Sequence, residues 1–179
     1  MSIKLIFLIL FLIIGIIFTV GYAILPIFNL NYSLYECIIY INKINIINKT
    51  SNENLLLKYD DLNINNTYKN ILNYVYYGCI GTSCIIGAGI IFSYLRMKLI
   101  STILFLLAQT FMSLLVVFIV FLYYSASFVK NLIPIPQTSQ NKNIGESQEN
   151  NISYENGGLL LLLSSSAMIV NYTLYSFIG

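Results

Sequence analysis

Hydrophobic positions in this chain gather into four long blocks separated by polar stretches. The first runs without interruption from Leu5 to Phe28. Ile71–Leu95 and Leu99–Tyr124 follow, joined by Arg96-Met97-Lys98, and a last block spans Gly158–Ile178. None of the four carries a charged side chain. Each is long enough to cross a hydrocarbon core of about 30 Å as a helix, which takes roughly 20 residues. The step 96–98 is too short to cross back, so the second and third blocks form a hairpin. Its two cations and lack of an anion put that turn in the cytoplasm by the positive-inside rule. The pattern predicts an all-α membrane protein: a four-transmembrane-helix bundle, with spans 5–28, 71–95, 99–124 and 158–178, and both termini cytoplasmic.

Lys4 ahead of the first block could open a signal peptide, with Gly21-Tyr22-Ala23 as a cleavage site. The apolar run is longer than the roughly 7–15 residues of a signal core, so it reads as a retained span. Pro26 falls in its last turn, where proline costs a helix least.

Residues 29–70 form the first outer loop. Tyr35–Ile47 and Leu55–Ile64 have strand character and Thr50–Asn54 reads as a turn between them, which predicts a small β-rich loop. The second outer loop, 125–157, holds Pro134 and Pro136 and then the polar run Gln137–Asn151, which reads as a mobile connection.

The second span is the one rich in small residues. Gly78, Thr82, Gly89 and Ser93 recur at steps of four and seven, on one helical face, with Gly81, Cys84 and Ala88 beside it. Small residues let helix backbones approach in lipid, so this helix is expected to be the one on which the other three pack. Gln109 in the third span and Asn171 in the fourth are amides at membrane depth. Each is expected to face a neighbouring helix, because an unpaired amide in lipid is costly.

Composition reinforces the membrane class: of 179 residues, 58% are hydrophobic and 9% charged. A net charge of +2 gives no reason to expect nucleic acid as a partner. The chain has no histidine, which removes imidazole acid–base chemistry and the commonest metal ligand. No ionisable Asp, Glu, Lys or Arg lies within a span, which argues against pumps and voltage sensors. Asp60-Asp61 reads as a solvated turn. The reading therefore contains no catalytic residue, no cofactor and no metal. The lipid bilayer is the certain partner, and no enzyme class fits.

Cys37 stands alone in the first loop, where a disulfide within the chain, a disulfide between chains and a free thiol are all open. Cys79 and Cys84 fall on different faces of the second span and read as small apolar fillers. Lys4, Arg96 and Lys98 lie on the inner side, and all 7 acidic residues lie in the outer loops. N-glycosylation sequons begin at Asn31, Asn48, Asn65 and Asn151, all in outer loops. A further sequon at Asn171 sits inside a span. These features favour the plasma membrane or an endomembrane.

The four spans, the larger first outer loop, the tight basic turn and the element Ser33-Leu34-Tyr35-Glu36-Cys37 resemble the claudin / peripheral-myelin-protein-22 / Sur7-like tetraspan superfamily. That superfamily has a Gly-Leu-Trp-x-x-Cys element at the start of the same loop. Leu34 matches its Leu, Tyr35 its aromatic and Cys37 its first cysteine, whereas this chain has Tyr for Trp, one spacer fewer and no second loop cysteine. The resemblance implies a non-enzymatic protein that organises membrane or mediates contact, with the first outer loop as the surface for itself or another membrane protein. An accessory subunit of a larger membrane complex is the alternative. A channel or transport protein using Asn73, Gln109 and Asn171 is a third reading.

Overall fold

The computed structural model describes residues 3–32, 35–49, 51–58, 60–62, 66–125 and 151–178. Among the described residues there are four helices: α1 (Ile3–Ala23), α2 (Asn66–Tyr94), α3 (Lys98–Tyr124) and α4 (Asn156–Ile178). All 4 are long and apolar enough to cross a membrane. Their outward sides remain apolar, with Leu12, Ile16, Ile91, Val117, Phe121 and Val170 exposed. Such a surface suits hydrocarbon and is poorly matched to water.

The helix ends differ from the hydropathy blocks, for local reasons. α1 stops at Ala23, and Phe28 belongs to a strand. Pro26 therefore lies beyond the helix and not in its last turn. Proline disfavours helical geometry at the residue before it, which ends α1 short of the apolar run. α2 begins at Asn66, five positions before the apolar block. Thr67, Tyr68 and Lys69 can continue a helix into water, because helix formation does not require hydrophobicity. α2 ends in a Schellman motif: Met97 N–H donates to Phe92 O at 3.0 Å and Arg96 N–H to Ser93 O at 3.2 Å. Arg96 takes the left-handed position with φ 63°, one ordinarily occupied by glycine.

A five-stranded antiparallel sheet stands at the opposite end of the bundle from that turn. Its strands are β1 (Phe28–Tyr32), β2 (Tyr35–Ile39), β3 (Ile44–Asn48), β4 (Asn54–Leu57) and β5 (Asn151–Tyr154), in the order β4-β3-β2-β1-β5. The mostly helical class and the β-rich first loop are as anticipated; the sheet extends beyond that loop, because a strand from the segment before the last helix joins it. Tyr35–Ile47 falls on two strands joined through residues 40–43, and four residues separate the end of α1 from β1. The second outer loop supplies β5, so its described end is ordered and paired. β5 was hidden because four residues beside a long polar run carry too little alternation to register. In the β3–β4 turn Asn52 adopts φ 52°, a conformation asparagine tolerates better than most residues.

The strands alternate as a half-buried sheet should. Register puts Leu30 opposite Cys37 and Ile152, Cys37 opposite Ile46, and Ile39 opposite Ile44. Leu30, Cys37, Ile39, Ile44 and Ile46 form the buried face. Asn29, Ile38, Asn45 and Leu56 share the other.

Within the bundle α2 packs on α1 and α3, and α4 packs on α1 and α3. α2 is thus one side of a four-helix ring and not the hub on which the other three pack. α2 and α4 sit across the diagonal, where Tyr175 Oη of α4 lies 3.0 Å from Ser93 Oγ.

Candidate interaction surface

The sheet is anchored to the bundle at one side. Phe28 of β1, Tyr154 of β5 and Tyr123 of α3 form an aromatic cluster, with Tyr123 stacked on Tyr154 at a centroid distance of 4.2 Å. Tyr123 O–H donates to Ile152 O at 3.0 Å. Burial, then the neighbouring Tyr123 and Tyr124 hydroxyls, raise the Tyr154 phenol above its ordinary range. Beneath this cluster Glu155 N–H donates to Ile27 O at 3.0 Å, and Gly157 N–H to Pro26 O at 2.9 Å. A Cβ on Gly157 would stand 2.6 Å from Pro26 O and 2.9 Å from Gly21 O and Leu25 O. These are backbone atoms with little room to yield, so the start of α4 needs glycine to meet the α1–β1 connection.

The other side is open. β4 closes the sheet order, and among the described residues no strand pairs with its far edge. Leu55 is 51% exposed and Leu56 65% exposed. They point to opposite faces of the sheet, since Leu55 pairs with Ile46 and Leu56 with Asn45. Leu55 shares the buried face and is still half uncovered, so β4 projects past the cover that the bundle gives to β1, β2 and β3. A strand with unpaired backbone groups and apolar side chains on both faces is the sheet geometry most prone to pair with another strand.

Cys37 lies at the centre of the buried face, 0% exposed, as a free thiol. Burial, then the nearby Glu36 carboxylate, push it up to about 11. It pairs with neither Cys79, a buried free thiol on α2, nor Cys84, an exposed one on the same helix. Tyr35 is half-buried in β2; Leu34 lies outside the described residues. Of the sequon asparagines, Asn31 is exposed on β1 and accepts from Lys49 Nζ at 2.8 Å. Asn48 ends β3, Asn151 opens β5 opposite Asn31, and Asn65 lies outside the described residues. Asp60 pairs with Lys69 at 2.7 Å on the surface, in keeping with a solvated turn.

Two glycines of α2 meet side chains of α3. Gly89 lies against the Phe105 ring, where a Cβ would come within 2.7 Å, and Gly78 against Leu115 at 3.0 Å. Thr82 and Ser93 are buried, with Thr82 O–H donating to Gly78 O at 2.7 Å. Gly81 has nothing within 4 Å of where its Cβ would be. Gln109 and Asn171 do not bond to each other: Asn171 Nδ2 donates to Phe7 O at 3.3 Å, and the carbonyl oxygens of both amides are buried without a partner.

Sequence reasoning missed the tie at the far end of the bundle from the sheet. Tyr175 Oη meets Ser93 Oγ and, at 3.3 Å, Ser101 Oγ, which donates to Gly89 O at 2.9 Å. Phe7, Phe11 and Phe105 surround the Tyr175 ring edge-to-face, and Phe11 stacks on Phe105 at 3.8 Å. Every helix contributes. A tyrosine in a tyrosine-rich chain gave no signal for this; only the approach of α2, α3 and α4 does.

No protein-family model matches the chain, and no curated protein matches it.

Proposed function

We propose that this is a non-enzymatic four-span membrane protein whose outer sheet mediates lateral self-association through β4, in the manner that a claudin / peripheral-myelin-protein-22 / Sur7-like resemblance implies. The carrying observation is the open β4 edge with Leu55 and Leu56 exposed on opposite faces. Lipid can cover leucine but cannot complete a backbone ladder; another strand does both. Copies in one bilayer hold their sheets at the same height, so two β4 edges meet in the membrane plane without bending the bundle. In this proposal the Arg96 turn and both chain ends lie in the cytoplasm and the sheet outside, at the plasma membrane or an endomembrane, as the cations Lys4, Arg96 and Lys98 favour.

The test is energy transfer between two fluorescently tagged populations in one membrane. Leu55→Lys with Leu56→Lys should abolish transfer while delivery to the membrane continues. Transfer equal to that of the unchanged protein would remove β4 from the interface.

One observation favours the accessory-subunit reading. A groove of about 310 Å³ between α1 and α2, lined in part by Gly15, Thr19, Ser83 and Gly87, opens on the lipid-facing side, with the Thr19 and Ser83 hydroxyls bonded within it. Small residues of this kind accept a foreign helix. Migration in one large hetero-complex on native gels would favour this reading over self-association.

A further inference from the structure

The bundle end remote from the sheet holds a cleft of about 210 Å³ lined by Lys4, Leu5, Leu8, Ser93, Tyr94 and Arg96. We propose that this cleft binds the phosphate of an anionic phospholipid headgroup, with Lys4 and Arg96 as the two cationic contacts and Leu5 and Leu8 bordering the upper acyl chain. The proposal is independent of what β4 does.

Four observations carry it. First, Lys4 is positioned and not free to wander: it is half-buried, and Nζ donates to Ser93 O at 3.1 Å. One N–H is used there and two remain for a ligand. Second, the Arg96 backbone is held beside Lys4, since Ser93 O also accepts the Arg96 main-chain N–H at 3.2 Å, and this sets where its exposed side chain leaves the turn. Third, Arg96 occupies a left-handed position at φ 63°, where glycine closes most such turns and a side chain is strained. A cation kept at a strained position at the mouth of a cleft has a use beyond ending the helix. Fourth, the lining sets two cations beside two leucines, Leu5 exposed and Leu8 buried, the neighbouring polar and apolar chemistry that a phospholipid presents at the same depth. The described carboxylates, Glu36, Glu53, Asp60, Asp61 and Glu155, all belong to the sheet side, leaving no competing anion among the described residues of this cleft. Basic pockets between transmembrane helices on the cytoplasmic side take anionic headgroups in this way.

The test uses the full chain in detergent micelles doped equally with phosphatidylserine and phosphatidylcholine, with retained lipid read by native mass spectrometry. Phosphatidylserine should be retained in preference. Lys4→Gln and Arg96→Gln should each lower the phosphatidylserine-to-phosphatidylcholine ratio about fivefold, the factor that one membrane-facing cation is worth. Lys98→Gln, outside the cleft lining, should leave it unchanged. Arg96→Gly is the decisive variant: it relaxes the turn, so its thermal unfolding temperature should hold or rise while retention falls as in Arg96→Gln. Inorganic phosphate at millimolar concentration should not displace the lipid. Equal retention of the two lipids, an equal loss in Lys98→Gln, or unimpaired retention in Arg96→Gly would each overturn the proposal. Displacement by inorganic phosphate would overturn the lipid assignment in favour of a free-anion site.

Discussion

The two ends of the sheet are built from similar residues and meet opposite conditions. At the β5–β1 end, Phe28, Tyr123 and Tyr154 interlock and Gly157 lets α4 touch the backbone of Leu25 and Pro26. At the β4 end, Leu55 and Leu56 pair with β3 but stay exposed on opposite faces, and among the described residues no strand adds to the far edge. Apolar character alone does not distinguish the ends, since both are rich in it. What differs is whether the surrounding chain covers the apolar groups and completes the backbone ladder. The covered end attaches the sheet to the four long apolar helices, and the uncovered end is where the proposed second copy would add a strand.

That contrast ranks the expected effects of substitution. The largest belongs to Gly157→Val, which drives a side chain into three carbonyl oxygens. It should cost upwards of about 3 kcal/mol, beyond ordinary overpacking, and show as loss of monodisperse protein on size exclusion. Tyr123→Ala, which removes the stack and the bond to Ile152 O, should cost about 3 kcal/mol, read as a fall in thermal unfolding temperature in detergent. If either variant unfolds like the unchanged protein, the anchoring of the β5 end is misassigned.

A smaller effect is expected away from the sheet. Tyr175→Phe keeps the ring among Phe7, Phe11 and Phe105 but leaves Ser93 Oγ without its partner on α4. A loss of about 1 kcal/mol should follow, and no change would mean that the hydroxyl tie is incidental to the aromatic packing.

Cys37 sharpens the comparison from within the sheet. Its folded-state value of about 11 lies above the ordinary thiol value of 9.0, so folding favours the neutral thiol. The stability this group confers is intact below pH 9 and lost as pH rises through about 11. The unfolding temperature should fall over that window, and fall less in Cys37→Ala. At neutral pH the thiol should resist maleimide in the folded protein and react once the protein is denatured. Rapid labelling of the folded protein would contradict a closed sheet face. The smallest stability change is expected at the open end: Leu55→Lys with Leu56→Lys should alter unfolding by no more than about 0.5 kcal/mol.

Much of the helical part was legible in the sequence, because the four long charge-free runs correspond to four helices long and apolar enough to cross a membrane. The hairpin at Arg96–Lys98 and the β-rich first loop followed from charge placement and alternation. Gly78 and Gly89 lie against α3 and Ser93 meets Tyr175 of α4, whereas Thr82 bonds within its own helix; periodicity on one helix could not tell these apart. The central place given to α2 was wrong for that reason. β5 escaped notice because four residues gain strand structure only from β1 beside them, and a pairing between chain positions 28–31 and 151–154 leaves no local trace. The exposure of Leu55 and Leu56 was equally hidden: alternation in β4 says which face each leucine takes, not that the bundle stops short of covering it.

The account rests on the two ends of the sheet behaving differently toward a second copy. In membranes, with Cys84 replaced by alanine to remove the exposed native thiol, single cysteines at Leu56 on β4 and at Ser153 on β5 should be compared for oxidative cross-linking. The account predicts a covalent dimer from Leu56→Cys and little or none from Ser153→Cys. Equal cross-linking at both positions, or dimers from Ser153→Cys alone, would contradict it.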